Sequence, residues 1–486
     1  MSDINSKHSA LLTDLYQLTM AQGYFHNNKL DMDGCFYLFF RDYPFHGGYA
    51  IACGIEQIRQ YIENFHFTKE DTKYLSTITG SNGKPIFTKD FLDYLEALKL
   101  EVDLDCVDEG TVVFPHEPVL RVCGPILQCQ IIETAILNAF NFQTLVATKA
   151  SRICSAAKCP VSEFGLRRAQ GFAGGVWASR AAVVGGCAST SNVEAGKLFD
   201  IPVSGTHAHS WVMAFDSELE AFRAYAKEFP NNCVLLVDTY DVEQGIKNAI
   251  IVGNEMKERG EKLSAIRIDS GDLTWLSKTA RKMLDEGGLP DCGIILSNDL
   301  DEYSIKSIYA EGGIFTGLGV GTKLATAYDQ PALGGVYKLS ATKMHDEKVW
   351  NPHMKVSESS QKTTIPGVLN VRRYIDDNGK LAGDMIYDIS MGVDKTCTIV
   401  DPMDILRQKK LGEKNYTDLL KPLFKKGKLV GKTFDTMHAQ ENAKQGLETL
   451  DETQKRTLNP HTYPVGIERT LNEYRTKMVA KLRGIS

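Results

Sequence analysis

Between residues 160 and 321 the chain repeats one pattern. Short β-branched runs end in polar or glycine residues, and each is followed by a helix-like stretch. Cys233–Val237 ends at Asp238, and Ala265–Ile268 ends at Asp269-Ser270-Gly271-Asp272. Gly293–Leu296 ends at Ser297-Asn298-Asp299, and Ile314–Thr316 runs into Gly317-Leu318-Gly319-Val320-Gly321. Such runs are too short for helices and read as strands. Pro160–Phe164 and Ile201–Ser204 read as further strands, with Ala178–Val184, Val242–Lys257 and Leu273–Leu284 as helices between them. A spacing of about 20–30 residues is that of βα units in a parallel sheet. A barrel or a doubly wound sheet follows, and the barrel is favoured. In both, the strand ends where the polar residues gather hold the active site.

The flanks differ. The first 130 residues mix an amphipathic helix, Leu11–Tyr24, with aromatic strands such as Cys35–Phe40. Ile131–Val146 has a helical apolar period and leads into the barrel. Beyond about residue 345 the chain becomes polar and Lys-rich, as in Lys421–Lys432, a run that reads best as a solvated face. The expected layout is an α+β segment at 1–130, the barrel at 131–345, and a segment at 346–486 packing on both. A length of 486 residues accommodates that without help from disulfides or metals.

Composition excludes several classes. With 55 Lys and Arg against 61 Asp and Glu, the net charge of −6 gives no support to a nucleic-acid or anionic-membrane binder. No apolar run reaches the roughly 18 residues that span a bilayer, and Met1–Lys7 has no apolar leader. The 11 cysteines are scattered with no C-x-x-C pair, so free thiols in a reducing cytoplasm are expected.

Four segments carry candidate chemistry. Gly317-x-Gly319-x-Gly321-Thr322-Lys323 can bring backbone N–H groups and a hydroxyl to a phosphate, although it is not a Walker A loop. A tight structural turn is the alternative. In Arg267-Ile268-Asp269, strand alternation puts the cation and the carboxylate on one face. There the Arg can grip a carboxylate or phosphate, and the Asp a ribose hydroxyl or a Mg²⁺-bound water. A structural ion pair would look the same. In Gly205-Thr206-His207-Ala208-His209-Ser210 a single His acting as nucleophile or acid/base is more attractive than a metal site, because no further ligands accompany the pair. Ser162–Gly171 offers Phe164 for stacking a flat ring and Arg167 for an anion; a core Phe with two solvated Arg is an equal alternative.

These segments resemble, in order, the motifs of the nicotinate phosphoribosyltransferase family, a group of type II phosphoribosyltransferases. The matching stretches are Leu11–Gln17, Phe39-Phe40-Arg41, Glu163–Gly171, Ser189–Val193, Gly205–Ser210, Arg267–Asp272, Gly319–Thr322 and Gly334–Leu339; residues 340–486 add little. The resemblance implies an irregular TIM-like α/β barrel beside a second α+β domain built from both flanks. It implies the conversion of nicotinate and 5-phosphoribosyl 1-diphosphate to nicotinate mononucleotide and diphosphate. That reaction is coupled to ATP hydrolysis, is Mg²⁺-dependent, and serves NAD salvage in a cytoplasmic homodimer with shared sites. Position by position, His209 matches the phosphorylated histidine. Tyr16 (from the partner subunit), Phe164, Ser191, Thr206 and Arg267 match nicotinate-binding positions. Arg167, Gly319, Gly321 and Thr322 match phosphate-binding positions, and Asp269 matches a catalytic carboxylate near the ribose or Mg²⁺. Thr190-Ser191-Asn192 lacks the acid expected of the nicotinamide-specific relative, which favours nicotinate. A barrel aldolase needs a strand-end lysine, which none of these strands has. A non-catalytic nucleotide binder is disfavoured by the intact His209, Arg267 and Asp269.

Overall fold

The computed structural model describes residues 10–358, 362–412, 414–433 and 435–485; Met1–Lys7, the segment read above for a leader, lies outside these. The chain forms two units, Val146–Pro331 and a second built from both flanks, Met1–Leu145 with Ala332–Ser486.

The central unit is α/β, a curled parallel half-barrel. Its six strands lie in the order Ser189–Thr190, Val161–Glu163, Gly317–Val320, Gly293–Leu296, Leu263–Ile268, Cys233–Leu236. Every neighbouring pair is parallel, so each connection must cross over, and amphipathic helices such as Val242–Glu258 and Leu273–Glu286 do so. Asp241 and Asp272 cap these two helices, accepting from the N–H of Gln244 and Trp275. Each cap follows the acid that ends its strand, Asp238 or Asp269, by only three residues, so the chain turns sharply at the rim.

Two expected strands are corrected. Ile314–Thr316 is irregular, and the glycine run that it was to feed is itself the strand, Gly317–Val320. Ile201–Ser204 contributes a single bridge, Thr190 to Val203. Its partner strand is only two residues long, so there is no ladder to extend.

Among the described residues the flank unit holds two large sheets and a two-stranded one, Ala50–Ile51 with Val112–Val113. One large sheet interleaves strands from both ends of the chain: Val336–Met344 and Leu120–Pro125 pair antiparallel on either side of Met32–Phe39. The Val336–Met344 strand, which the 131–345 segment would have included, therefore belongs with the flanks. The other large sheet comes from the C-terminal flank alone, centred on Leu381–Asp388. Tyr37 and Phe39 from the first flank share a core with Ile365, Leu369, Ile386, Ile467 and Leu471 from the second. Beneath it Arg373 pairs with Asp384 (2.6 Å), and the Tyr463 hydroxyl donates to the same carboxylate (2.8 Å), all buried. The expected helix Ile131–Val146 breaks at Ile132 into Ile126–Ile131 and Glu133–Ala157. Within the Lys-rich run, Lys421 pairs with Asp108 (2.5 Å) and Lys425 with Asp103 (3.1 Å), so part of it neutralises its own sheet.

Candidate active site

The site is built at the C-terminal rim of the half-barrel, around Arg267. Its side chain shares a face with Asp269, as alternation requires, and three of its donors are engaged. Nε donates to Ser297 Oγ (2.9 Å), Nη1 to Thr206 Oγ1 (2.9 Å) and Nη2 to Asp269 Oδ1 (3.1 Å). Ser297 Oγ in turn donates to Asp269 Oδ1 (2.5 Å). A guanidinium has five N–H groups, so two remain for a ligand. Its central carbon lies 5.7 Å from the centroid of the Phe164 ring, within cation–π range.

His209 opens the short helix His209–Met213 beside this cluster. Its Nδ1 is 3.2 Å from Thr239 Oγ1, and its Nε2 is 4.0 Å from Asp269 Oδ2. The side chain keeps 42% of its surface exposed, so it is reachable by a substrate. Asp238 supports the rim from below. Its Oδ2 accepts the Asp269 N–H (2.9 Å) and the Ser270 hydroxyl (2.6 Å). The other histidine of the pair faces elsewhere. His207 is buried, its Nε2 accepts the Leu236 N–H (3.1 Å), and its ring meets Tyr225 edge-on at 4.7 Å. Burial pushes its pKa down to about 4, so it is neutral at pH 7. The two imidazoles do not converge on one ligand. Among the described residues no group of three or more His, Cys, Asp or Glu is placed to hold a metal ion.

Phe164 forms a wall because its surroundings are cut to fit. A Cβ on Gly319 would stand 2.5 and 2.6 Å from Phe164 Cδ2 and Cε2. The preceding Glu163 is fully buried and turned away from the pocket. Its carboxylate accepts from the Gly165 N–H, the Ser179 hydroxyl (2.8 Å) and the Thr190 hydroxyl (2.6 Å). Its backbone carbonyl accepts the Ser191 N–H (2.9 Å), which docks the Ser191 loop beside Phe164.

The structure thus brings Phe164, Thr206, His209, Arg267 and Asp269 together, with Ser191 and Gly319 adjoining Phe164. Gly321 caps the four-residue helix Thr322–Ala325, and Lys323 is tied to Asp301 (2.6 Å). Arg167 lies exposed on the turn Leu166–Arg168, with no contact to the cluster. Tyr16 belongs to the flank unit, on the helix Leu15–His26, half exposed. Sequence reasoning did not single out Thr239, Ser297 or Asp238 as site residues. The available signal was their position: each directly follows a strand or the acid that ends one.

Comparisons with known proteins give the family and the fold. A model described as the nicotinate phosphoribosyltransferase N-terminal domain matches residues 11–141, and one described as the C-terminal domain matches 370–475. The second match corrects the expectation that residues beyond 340 add little. The chain is 43% identical to the nicotinate phosphoribosyltransferase of Bacillus subtilis, covering 94% of this chain and 92% of that protein. It is 32% identical to that of Caenorhabditis elegans, covering 98% and 94%. The crystal structure of human nicotinic acid phosphoribosyltransferase superposes with a TM-score of 0.84 at 28% identity, covering 96% of this chain and 99% of that one. No helix among the described residues is long and apolar enough to cross a membrane.

Proposed function

Because the chain belongs to the nicotinate phosphoribosyltransferase family, we propose that this rim joins nicotinate to 5-phosphoribosyl 1-diphosphate. The products are nicotinate mononucleotide and diphosphate, the reaction is coupled to ATP hydrolysis, and it serves NAD salvage in the cytoplasm. The pyridine nitrogen attacks ribose C1, and the bond from C1 to the diphosphate oxygen breaks. Mg²⁺ carried on the diphosphate substrate would neutralise its charge, with Asp238 and Asp269 at the rim and no third His, Cys, Asp or Glu grouped with them among the described residues.

Each residue has a part that its geometry supports. Phe164 stacks one face of the ring. The two remaining donors of Arg267 take the nicotinate carboxylate, with Thr206 and Ser191 beside it. The acid is preferred over the amide because the nearby carboxylate of Glu163 is locked by three donors and faces away. Asp269 holds the ribose. Gly319, Gly321 and Thr322 receive the 5-phosphate, and exposed Arg167 meets the diphosphate. Tyr16 covers the second ring face from the partner subunit of a homodimer. In its support, Leu15, Tyr16 and Met20 are exposed on one helix, a surface that a second copy would bury. His209 accepts the γ-phosphoryl group of ATP: the imidazole nitrogen bonds to phosphorus as the bond to ADP breaks, and water later releases phosphate.

The observation that carries this reading is the shared cluster of Arg267, Asp269 and His209, with Arg267 against the Phe164 ring. The test compares product formation from nicotinate, nicotinamide and quinolinate, with and without ATP. Nicotinate should be preferred and ATP should raise the yield; a preference for either other base would overturn the assignment. His209→Ala should take up no label from γ-labelled ATP, and labelling of that variant would refute the phosphohistidine.

A further inference from the structure

We propose that Thr239 is a positioning residue that fixes the tautomer of His209, holding the proton on Nδ1 and leaving the lone pair on Nε2. The inference rests on the phosphohistidine reading above. A neutral imidazole has one N–H and one lone pair, and only the nitrogen with the lone pair attacks phosphorus. Two neighbours compete for that proton. Asp269 draws it toward Nε2, which would blunt the nucleophile; Thr239 accepts it on Nδ1, which would sharpen it.

The Thr239 hydroxyl can accept from Nδ1–H or donate to a bare Nδ1, but the second arrangement puts the proton on Nε2, where Asp269 is the neighbour that would have to hold it. Thr239 Oγ1 is 3.2 Å from Nδ1, inside hydrogen-bonding range, whereas Asp269 Oδ2 is 4.0 Å from Nε2, outside it. Asp269 is further weakened as a competitor because Arg267 and Ser297 hold its other oxygen. Thr239 can keep its place because Asp238, its neighbour in sequence, anchors this turn to Asp269 and Ser270. Nε2 therefore keeps its lone pair, on a side chain exposed enough for a substrate to reach.

The test uses the full-length wild type, Thr239→Val and Thr239→Ser with γ-labelled ATP. The rate of phosphoenzyme formation is measured by rapid quench. The phosphorylated nitrogen is identified by ³¹P NMR of the denatured, alkaline phosphoenzyme. Wild type should carry phosphate on Nε2 alone. Thr239→Val, which keeps the shape but not the acceptor, should label about tenfold more slowly, the scale of one hydrogen bond, and should give a mixture of the two isomers. Thr239→Ser should restore both the rate and the single isomer. A merely structural role would leave the isomer unchanged.

Phosphate on Nδ1 in the wild type would overturn the proposal, whether or not the variants fold. So would a Thr239→Val enzyme that labels at the wild-type rate on Nε2 alone. No label on the wild type would overturn the phosphohistidine reading itself, and this proposal with it.

Discussion

Replacing Gly319 with Ala perturbs the nicotinate pocket through a single methyl group. The new Cβ would stand 2.5 and 2.6 Å from two carbons of the Phe164 ring, and 3.5 Å from Ser297 Cβ. Carbon contacts settle near 3.5–4.0 Å, so the ring must retreat by about 1 Å. It cannot do so by moving its backbone, because the Phe164 N–H is bonded to the Val320 carbonyl (2.8 Å) and the Gly165 N–H to Glu163. The ring must tilt toward the pocket and take part of the space that a stacked pyridine needs. Overpacking of this kind costs about 1–3 kcal/mol. The half-exposed ring should divert most of that cost from stability into binding. The expected result is a KM for nicotinate raised about tenfold, which corresponds to about 1.4 kcal/mol, with the KM for 5-phosphoribosyl 1-diphosphate changed less than about threefold and a Tm lowered by only a few degrees. Steady-state kinetics with each substrate varied in turn, together with a thermal melt, decides the matter. An unchanged KM for nicotinate in a folded protein would refute Phe164 as the stacking wall.

Other expectations follow from the same geometry. Arg267→Lys keeps the charge but cannot reach Ser297, Thr206 and Asp269 at once; kcat/KM for nicotinate should fall about 100-fold, and a fall under fivefold would count against the carboxylate grip. His207 stays neutral in the fold down to about pH 4, while the unfolded chain protonates it near 6.5. Stability should therefore be lost as pH falls from 6.5 to 4, by up to about 3 kcal/mol. His207→Gln should flatten that part of the curve of urea midpoint against pH. Asp384→Asn removes the nearer carboxylate of Arg373, leaving buried Glu117 at 3.7 Å, and should cost about 3 kcal/mol, the low end for breaking a buried pair, read as a lower denaturation midpoint; a shift under 1 kcal/mol would show the network to be dispensable.

The sequence was most legible where period and chemistry coincided. Cys233–Leu236, Leu263–Ile268 and Gly293–Leu296 are strands where β-branched runs predicted them. The side-by-side placement of Arg267 and Asp269 followed from alternation alone. The glycine run was placed after a strand, but it is itself the strand. Here Gly319 is a strand residue lacking a side chain so that an aromatic ring can lie against it. Thr239 and Ser297 escaped notice for a different reason. A lone hydroxyl residue at a strand end is common, and its role arises only when two distant segments meet, as Arg267 meets Ser297. In the flanks, periodicity found the aromatic strand Met32–Phe39 but could not say that its ladder partner lies some 300 residues away, because pairing over that distance leaves no local signature.

That separation bears on how the protein is made. While the ribosome is still translating, Met32–Phe39 has emerged with one ladder neighbour, Leu120–Pro125, and must wait for Val336–Met344. In the interval an apolar edge is open to any other nascent chain. A gene truncated between Pro331 and Val336 would encode the half-barrel chemistry but leave the first sheet half zipped, and such fragments should be found in inclusion bodies or with chaperones.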